Sequence, residues 1–236
     1  MIYGWRARLG VLIPSVVATI EPEFQRMVPE GVTCHFQRFN FTGGGIKILQ
    51  SLKSGVMDAA ELISHVDPSS IAMCCTAGSF AGGKGYDQGI AEKLRTMTNR
   101  PATTASTSVL EAFAALNVKK IALAVPYIEE LAKAEKHFFE ANGIEVTSLN
   151  WLGVDGFDMN RVPYERTYDL AKKVNNTNAE AIFISCVGLP TAAFIETLEN
   201  DVNKPVITSN QATIWKLLRL SKINDKIQGF GRLLTI

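Results

Sequence analysis

The chain has 236 residues, is 47% hydrophobic and carries 24 Lys and Arg against 23 Asp and Glu, a formal net charge of +1. That is ample apolar material for a core, in one large domain or two small ones. Balanced charge without a basic cluster argues against a nucleic-acid or acidic-membrane partner; with no spanning-length apolar window and no signal-peptide pattern, a cytoplasmic location is expected.

In chain order, RLGVLI (8–13) is predicted as a strand running into a Pro-Ser turn at Pro14 and Ser15, and VTCHFQ (32–37) as the second strand. Apolar residues at every third or fourth position predict a helix over 46–63. The third strand, IAMCC (71–75), breaks into small polar residues and glycine. Helices at 87–97 and 108–116 flank a short strand at 102–105. Then come KIALAV (120–125), ending before Pro126 and Tyr127, and the strands at 144–149, 181–185 and 205–209. Helical periodicity covers 128–142, 164–174, 192–200 and 212–220. Strands alternating with helices predict an α/β fold of parallel sheets covered by helices.

A weak internal repeat organises these elements. The strand ending at Pro14 precedes the one ending at Cys75 by 61 residues, and the strand ending at Pro126 precedes the one ending at Cys186 by 60. Two similar Rossmann-like or flavodoxin-like domains follow, related by a pseudo-two-fold axis, with residues 1–113 plus 211–236 in one and 114–210 in the other. Ligands of open parallel sheets bind beyond the strand C-termini, so the expected active site is the interdomain cleft, with Cys75 and Cys186 facing each other.

The four cysteines, Cys34, Cys74, Cys75 and Cys186, form no CxxC pair and are expected to be reduced. Neighbours on a strand point to opposite faces, which turns Cys74 into the packed side when Cys75 enters the cleft. Helix-side N–H groups after Cys75 are expected to lower its pKa below the free value of about 8.5. Other chemistries fit poorly. GSFAGGKG (78–85) lacks the Ser or Thr that a phosphate loop needs after Lys84, leaving loop flexibility as the expected role of its glycines. The TGGG stretch (42–45) lacks dinucleotide-loop spacing. His35, His65 and His137 are scattered, so no metal site is expected, although a zinc site from Cys74, Cys75 and His65 stays open. No G-x-S-x-G elbow is present. Cofactor-free thiol chemistry remains.

The Pro14-Ser15 turn, C-T-A-G-S-F after the third strand, Pro126-Tyr127 and S-C-V-G-L-P-T (185–191) resemble the aspartate/glutamate racemase superfamily, and within it the maleate cis–trans isomerase and arylmalonate decarboxylase branch. The resemblance continues through N-Q-A-T-I-W (210–215) and G-R-L (231–233). It implies a pseudosymmetric pair of domains, a catalytic cysteine from each, and no cofactor. Both cysteines are present, as in the isomerases and racemases, whereas the decarboxylases carry glycine at the position matching Cys75. The asparagine with which maleate isomerases grip a carboxylate is replaced by Val16 and Val17. The decarboxylase Thr-Ser-Tyr cluster is matched at Thr76 and Tyr127, with Ala77 in place of serine.

The leading expectation is a two-cysteine isomerase of a small carboxylate or dicarboxylate, similar to maleate isomerases or to amino or hydroxy acid racemases. The expected contacts are Pro14, Ser15, Thr76, Ala77, Tyr127 and Val187. Two alternatives stay open: an arylmalonate-type decarboxylase with Cys186 as proton donor, and a non-catalytic binding protein. Assembly into a homo-oligomer is also left open.

Overall fold

The computed structural model describes every residue except Met1, Thr42, Gly44, Lys47, Ile48, Gln50, Ser51 and Asp155, and describes Lys53 and Ser54 without their side chains. Two four-stranded, all-parallel sheets carry the fold, and their strand orders repeat: β2-β1-β3-β4, then β6-β5-β7-β8. The strands are β1 (Ala7–Pro14), β2 (Val32–Phe39), β3 (Ser70–Met73) and β4 (Ala102–Thr104), followed by β5 (Lys120–Val125), β6 (Glu145–Trp151), β7 (Ala181–Ile184) and β8 (Val206–Thr208). The α/β class is as the alternation predicts. Central strands such as β1 and β7 are buried along nearly their whole length, as strands covered on both faces must be.

The helices are α1 (Ile20–Met27), α2 (Lys53–Ser64), α3 (Thr76–Phe80), α4 (Tyr86–Thr98), α5 (Ala105–Ala115), α6 (Glu129–Ala141), α7 (Tyr164–Val174), α8 (Ile195–Val202) and α9 (Ser209–Leu220). A helix is expected after the Pro14-Ser15 turn and another after Cys75, but the sequence sets no range for either α1 or α3. Pro22 argues against a helix when read alone, but it lies in the first turn of α1, where its missing N–H costs no intrahelical bond. The helix predicted over 46–63 is described as α2 in its second part; residues 47, 48, 50 and 51 of that expectation, and Thr42 and Gly44 of the TGGG stretch, lie outside the described residues. Among the described residues no helix is long and apolar enough to cross a membrane.

One cluster of buried apolar side chains runs from the first sheet to the second. Within it the ring of Phe183 (β7) meets those of Phe113 (α5) and Phe139 (α6) edge to face, at centroid distances of 5.6 and 5.4 Å. Such pairs add to the apolar burial because a ring's positive edge meets a neighbour's negative face.

In each sheet the chain leaves the first strand in one direction and returns on its other side. The gaps between β1 and β3 and between β5 and β7 are therefore the points where connections diverge and loops leave an opening. These gaps set the site.

Candidate active site

Register carries the repeat into the site. The Cys74 N–H donates to the Leu12 carbonyl at 2.8 Å, and the Ser185 N–H donates to that of Ala124 at 2.9 Å. Each sheet's third strand is thus prolonged by one hydrogen bond, and the next residue is a cysteine. Cys75 and Cys186 line a single cavity of about 120 Å³ with Pro14, Thr76, Ala77, Tyr127 and Val187. Ser15 is not in this lining: it is exposed, and its Oγ accepts the Phe41 N–H at 3.1 Å. Cys74 is fully buried, beside the Ala72 carbonyl, as strand alternation predicts. His65 ends α2 at the surface, away from the buried Cys74 and Cys75.

The two halves differ at the thiols themselves. Cys75 is the extended N-cap of α3, whereas Cys186 has φ +91, in the left-handed region that suits glycine. Gly78 lies inside α3 and not in a flexible loop. A Cβ there would come within 2.9 Å of Cys75 Sγ, so the absent side chain lets the helix close over the thiol.

The expected lowering of the Cys75 pKa does not occur. Burial pushes its thiol up to about 12, against the Gly78 N–H, which favours the thiolate, while the neighbouring Cys186 adds to the rise. Cys186 is pushed up to about 11, again by burial, and is eased by the Gly188 N–H and the Tyr127 hydroxyl. Helix-end N–H groups lower a pKa, but removing a thiolate from water outweighs them in this largely apolar pocket. Exposure of the thiol is a tertiary property, and strand and helix spacing carry no record of it.

Polar groups around the cysteines are mostly committed to one another. The Thr76 hydroxyl, expected to face a ligand, donates to Ser209 Oγ at 2.9 Å, and Ser209 Oγ also accepts the Cys186 N–H at 3.0 Å. Tyr127 is buried beside Ser185 Oγ, 3.4 Å away, and Cys186, and its pKa is raised well above the usual phenol value, by burial first. It is a protonated donor. The rest of the lining is largely apolar, including Val16, Val17, Phe41, Leu131, Val154 and Met159.

Asn160 was not singled out from the sequence. It lines the cavity and clasps the loop after Pro14, accepting the Ala18 N–H at 3.1 Å and donating to the Val16 carbonyl. Thr19 Oγ1 reaches across to the Gly188 carbonyl at 2.8 Å. Deeper, Glu23 on α1 accepts the Ala192 N–H at 2.8 Å, Asn210 Nδ2 at 2.7 Å and the Thr191 N–H. Burial raises its pKa, against these donors. The one sequence signal for Glu23 was its place on a stripe with Ile20, Phe24 and Met27, legible once a helix is known there.

Comparison with known proteins adds the following. The family model described as arylmalonate decarboxylase matches residues 9–234. A maleate isomerase of Geobacillus stearothermophilus is 25% identical, covering 97% of both chains, and an arylmalonate decarboxylase of Bordetella bronchiseptica is 26% identical, covering 95% of both. A solved structure of Nocardia farcinica maleate cis-trans isomerase with a covalently bound succinylcysteine intermediate superposes with a TM-score of 0.91 at 21% identity, covering 97% of this chain and 98% of that one.

Proposed function

Since the chain belongs to the arylmalonate decarboxylase family, we propose that it is a cofactor-independent isomerase of a small carboxylate, most closely a dicarboxylate alkene, working through Cys75 and Cys186. The observation that carries this reading is the pair of thiols at equivalent strand ends lining one cavity. The division into units 1–113 with 211–236, and 114–210, is proposed with it. It is supported by one complete sheet in each range and by α9, which returns to lie against α5 and β4.

In the proposed reaction the Cys75 thiol, protonated at rest, gives its proton to a carboxylate of the bound substrate as its sulfur attacks, and recovers it when the product leaves. Its sulfur forms a bond to one alkene carbon, and the alkene electron pair moves onto the neighbouring carboxylate as an enediolate. Cys186 S–H gives its proton to the other carbon, leaving a Cys75 thioether and a Cys186 thiolate. The former double bond is now single and rotates. Cys186 takes the proton back, the carbon–sulfur bond breaks, and the trans alkene leaves. The developing enediolate needs donors; Tyr127 and Asn160 are the side chains placed to supply them, while Thr76 acts by fixing Ser209. The Nocardia farcinica enzyme's succinylcysteine is an adduct of this kind. Inversion of an amino or hydroxy acid would use the same pair, one thiolate removing the α-proton and the opposite thiol returning one.

A second reading, loss of carbon dioxide from a disubstituted malonate with reprotonation by Cys186, is supported by the apolar Val16 and Val17 in the lining. Proton NMR in deuterated water with maleate, arylmalonates and amino acids distinguishes the readings by isomer conversion, carbon dioxide loss or deuterium uptake. For the isomerase, Cys75→Ala is expected to lower turnover by about 10³-fold, within the range for a lost nucleophile or acid–base group. Unchanged turnover of a malonate in that variant would overturn the two-cysteine reading in favour of the decarboxylase.

A further inference from the structure

One turn along α6 from Leu131 of the cavity lining lies a carboxyl that this mechanism does not use. Glu135 on α6 is fully buried. Its Oε1 accepts the Ser185 hydroxyl at 2.6 Å, while its Oε2 has no hydrogen-bond partner. Ser185 Oγ is also 3.4 Å from Tyr127 OH, and Tyr127 lines the cavity with Cys186, whose pKa its hydroxyl lowers. A continuous path therefore runs from Glu135 through Ser185 and Tyr127 to the thiol.

The path has a direction, because Ser185 owns one hydroxyl proton and has two acceptors within reach. When Glu135 is ionised it takes that proton at short range, and Ser185 then offers Tyr127 only a lone pair. Tyr127 can turn its own proton toward Ser185 and away from the sulfur. When Glu135 is protonated it donates to Ser185, Ser185 donates to Tyr127, and the Tyr127 proton is left for Cys186. Every donor then points at the sulfur, and no negative charge stands at the far end of the chain.

We infer that Glu135 is a positioning residue for Cys186: its carboxyl orients the Ser185–Tyr127 hydroxyl chain toward the thiolate when protonated, and turns the chain away when ionised. The inference rests on the proposed role of Cys186 in turnover only for its effect on rate; the coupling to the thiol is independent of it.

Burial places the Glu135 pKa at about 8, with Ser185 holding it down from a higher value. The switch thus falls in an accessible range. The titratable groups facing Glu135 are Tyr127 after β5 and Cys186 after β7, and Glu135 raises the pKa of each. The residues of α3, packed against α6, carry no ionisable side chain beyond the hydroxyls of Thr76 and Ser79, and Cys75 precedes them. Glu145 of β6 is exposed, as are Glu129, Glu130, Lys133, His137 and Glu140 of α6 itself, with Lys136 half-buried. Among the described residues no cation stands beside the carboxyl to hold it ionised.

The test follows alkylation of Cys186 by iodoacetamide, read by peptide mapping, across pH 6 to 10, with turnover measured in parallel. In the native protein the rate is expected to climb with pH and then show a shoulder near pH 8, where ionised Glu135 makes the thiolate harder to form. In Glu135→Gln the shoulder disappears: rates match below pH 7 and the variant is about tenfold faster at pH 9, the scale expected of a lost charge at close range. Ser185→Ala is the second variant, in case the first does not fold. It keeps the carboxyl but cuts the hydroxyl chain and removes the bond that favours the ionised form, so the shoulder is expected to move higher and to lose most of its depth; a shoulder of native depth there would mean that charge alone couples Glu135 to Cys186, and overturns the inference. Curves that superimpose on the native one, or differ by a constant factor at all pH, overturn the inference. A shoulder that responds as described in a protein without turnover would support the coupling and count against the proposed function.

Discussion

Cys186→Ala is expected to reduce turnover by about 10³-fold on every substrate the protein accepts, with little change in melting temperature. Both enzymatic readings route a proton through this thiol: to and from the carbon next to the thioether in the isomerase, and onto the carbanion left by carbon dioxide in the decarboxylase. A positioned proton donor of this kind contributes about 10²- to 10⁴-fold, and Cys75, the other thiol among the described lining residues, is held in the thioether when the proton is needed in the isomerase and faces the substrate from the opposite side in the decarboxylase. Tyr127 is buried and its pKa raised well above the usual phenol value, so it serves as a hydrogen-bond donor and is a poor acid. Replacing sulfur by hydrogen leaves only a small gap at the cavity edge, so the fold should tolerate it. Steady-state kinetics beside a thermal melt checks both halves of the statement. Retention of even a tenth of native kcat would remove Cys186 from the reaction.

Glu23→Ala should produce the largest change in stability. The carboxylate collects the Thr191 and Ala192 N–H groups and the Asn210 amide, and all four residues are buried. Deleting it strands these donors together and opens a void under α1. Loss of one partner from a buried polar cluster costs on the order of 3 kcal/mol, which for a chain of this size is about 10 °C in melting temperature. Because α1 follows the loop that Asn160 clasps over the cavity, KM should rise as well. Glu23→Gln retains one acceptor oxygen and is expected to lose about half as much. A melting temperature within 2 °C of native for the alanine variant would mean that water restores the donors and that the cluster does not hold the two sheets together.

The architecture was legible in the sequence because its strands are buried on both faces and so read as unbroken apolar runs, and because the two halves repeat their punctuation: Pro14 and Pro126 after one strand, Cys75 and Cys186 after another. A helix is expected after Cys75, but the extent of α3 was not legible, since five residues are less than two turns and offer no periodicity. The commitments of hydroxyls were not legible either. Thr76 and Tyr127, expected as substrate contacts, line the cavity, yet Ser209, which accepts the Thr76 hydrogen bond, comes from a helix more than a hundred residues away. Glu135 left a trace. It shares a helical stripe with Leu131, Ala132, Phe138 and Phe139, all buried, and a carboxylate on such a stripe marks a group withdrawn from water.

The left-handed backbone at Cys186 bears on how this protein would respond to engineering. With φ +91 the Cβ is held against its own backbone, a conformation that glycine takes without penalty and other residues adopt at roughly 1 to 3 kcal/mol. Selection for heat tolerance alone should therefore enrich glycine at 186 among the survivors, each more durable and each inert. A library screened first for survival and only later for turnover would discard its active members at the first step. Screening in the opposite order, or fixing position 186 beforehand, avoids that loss.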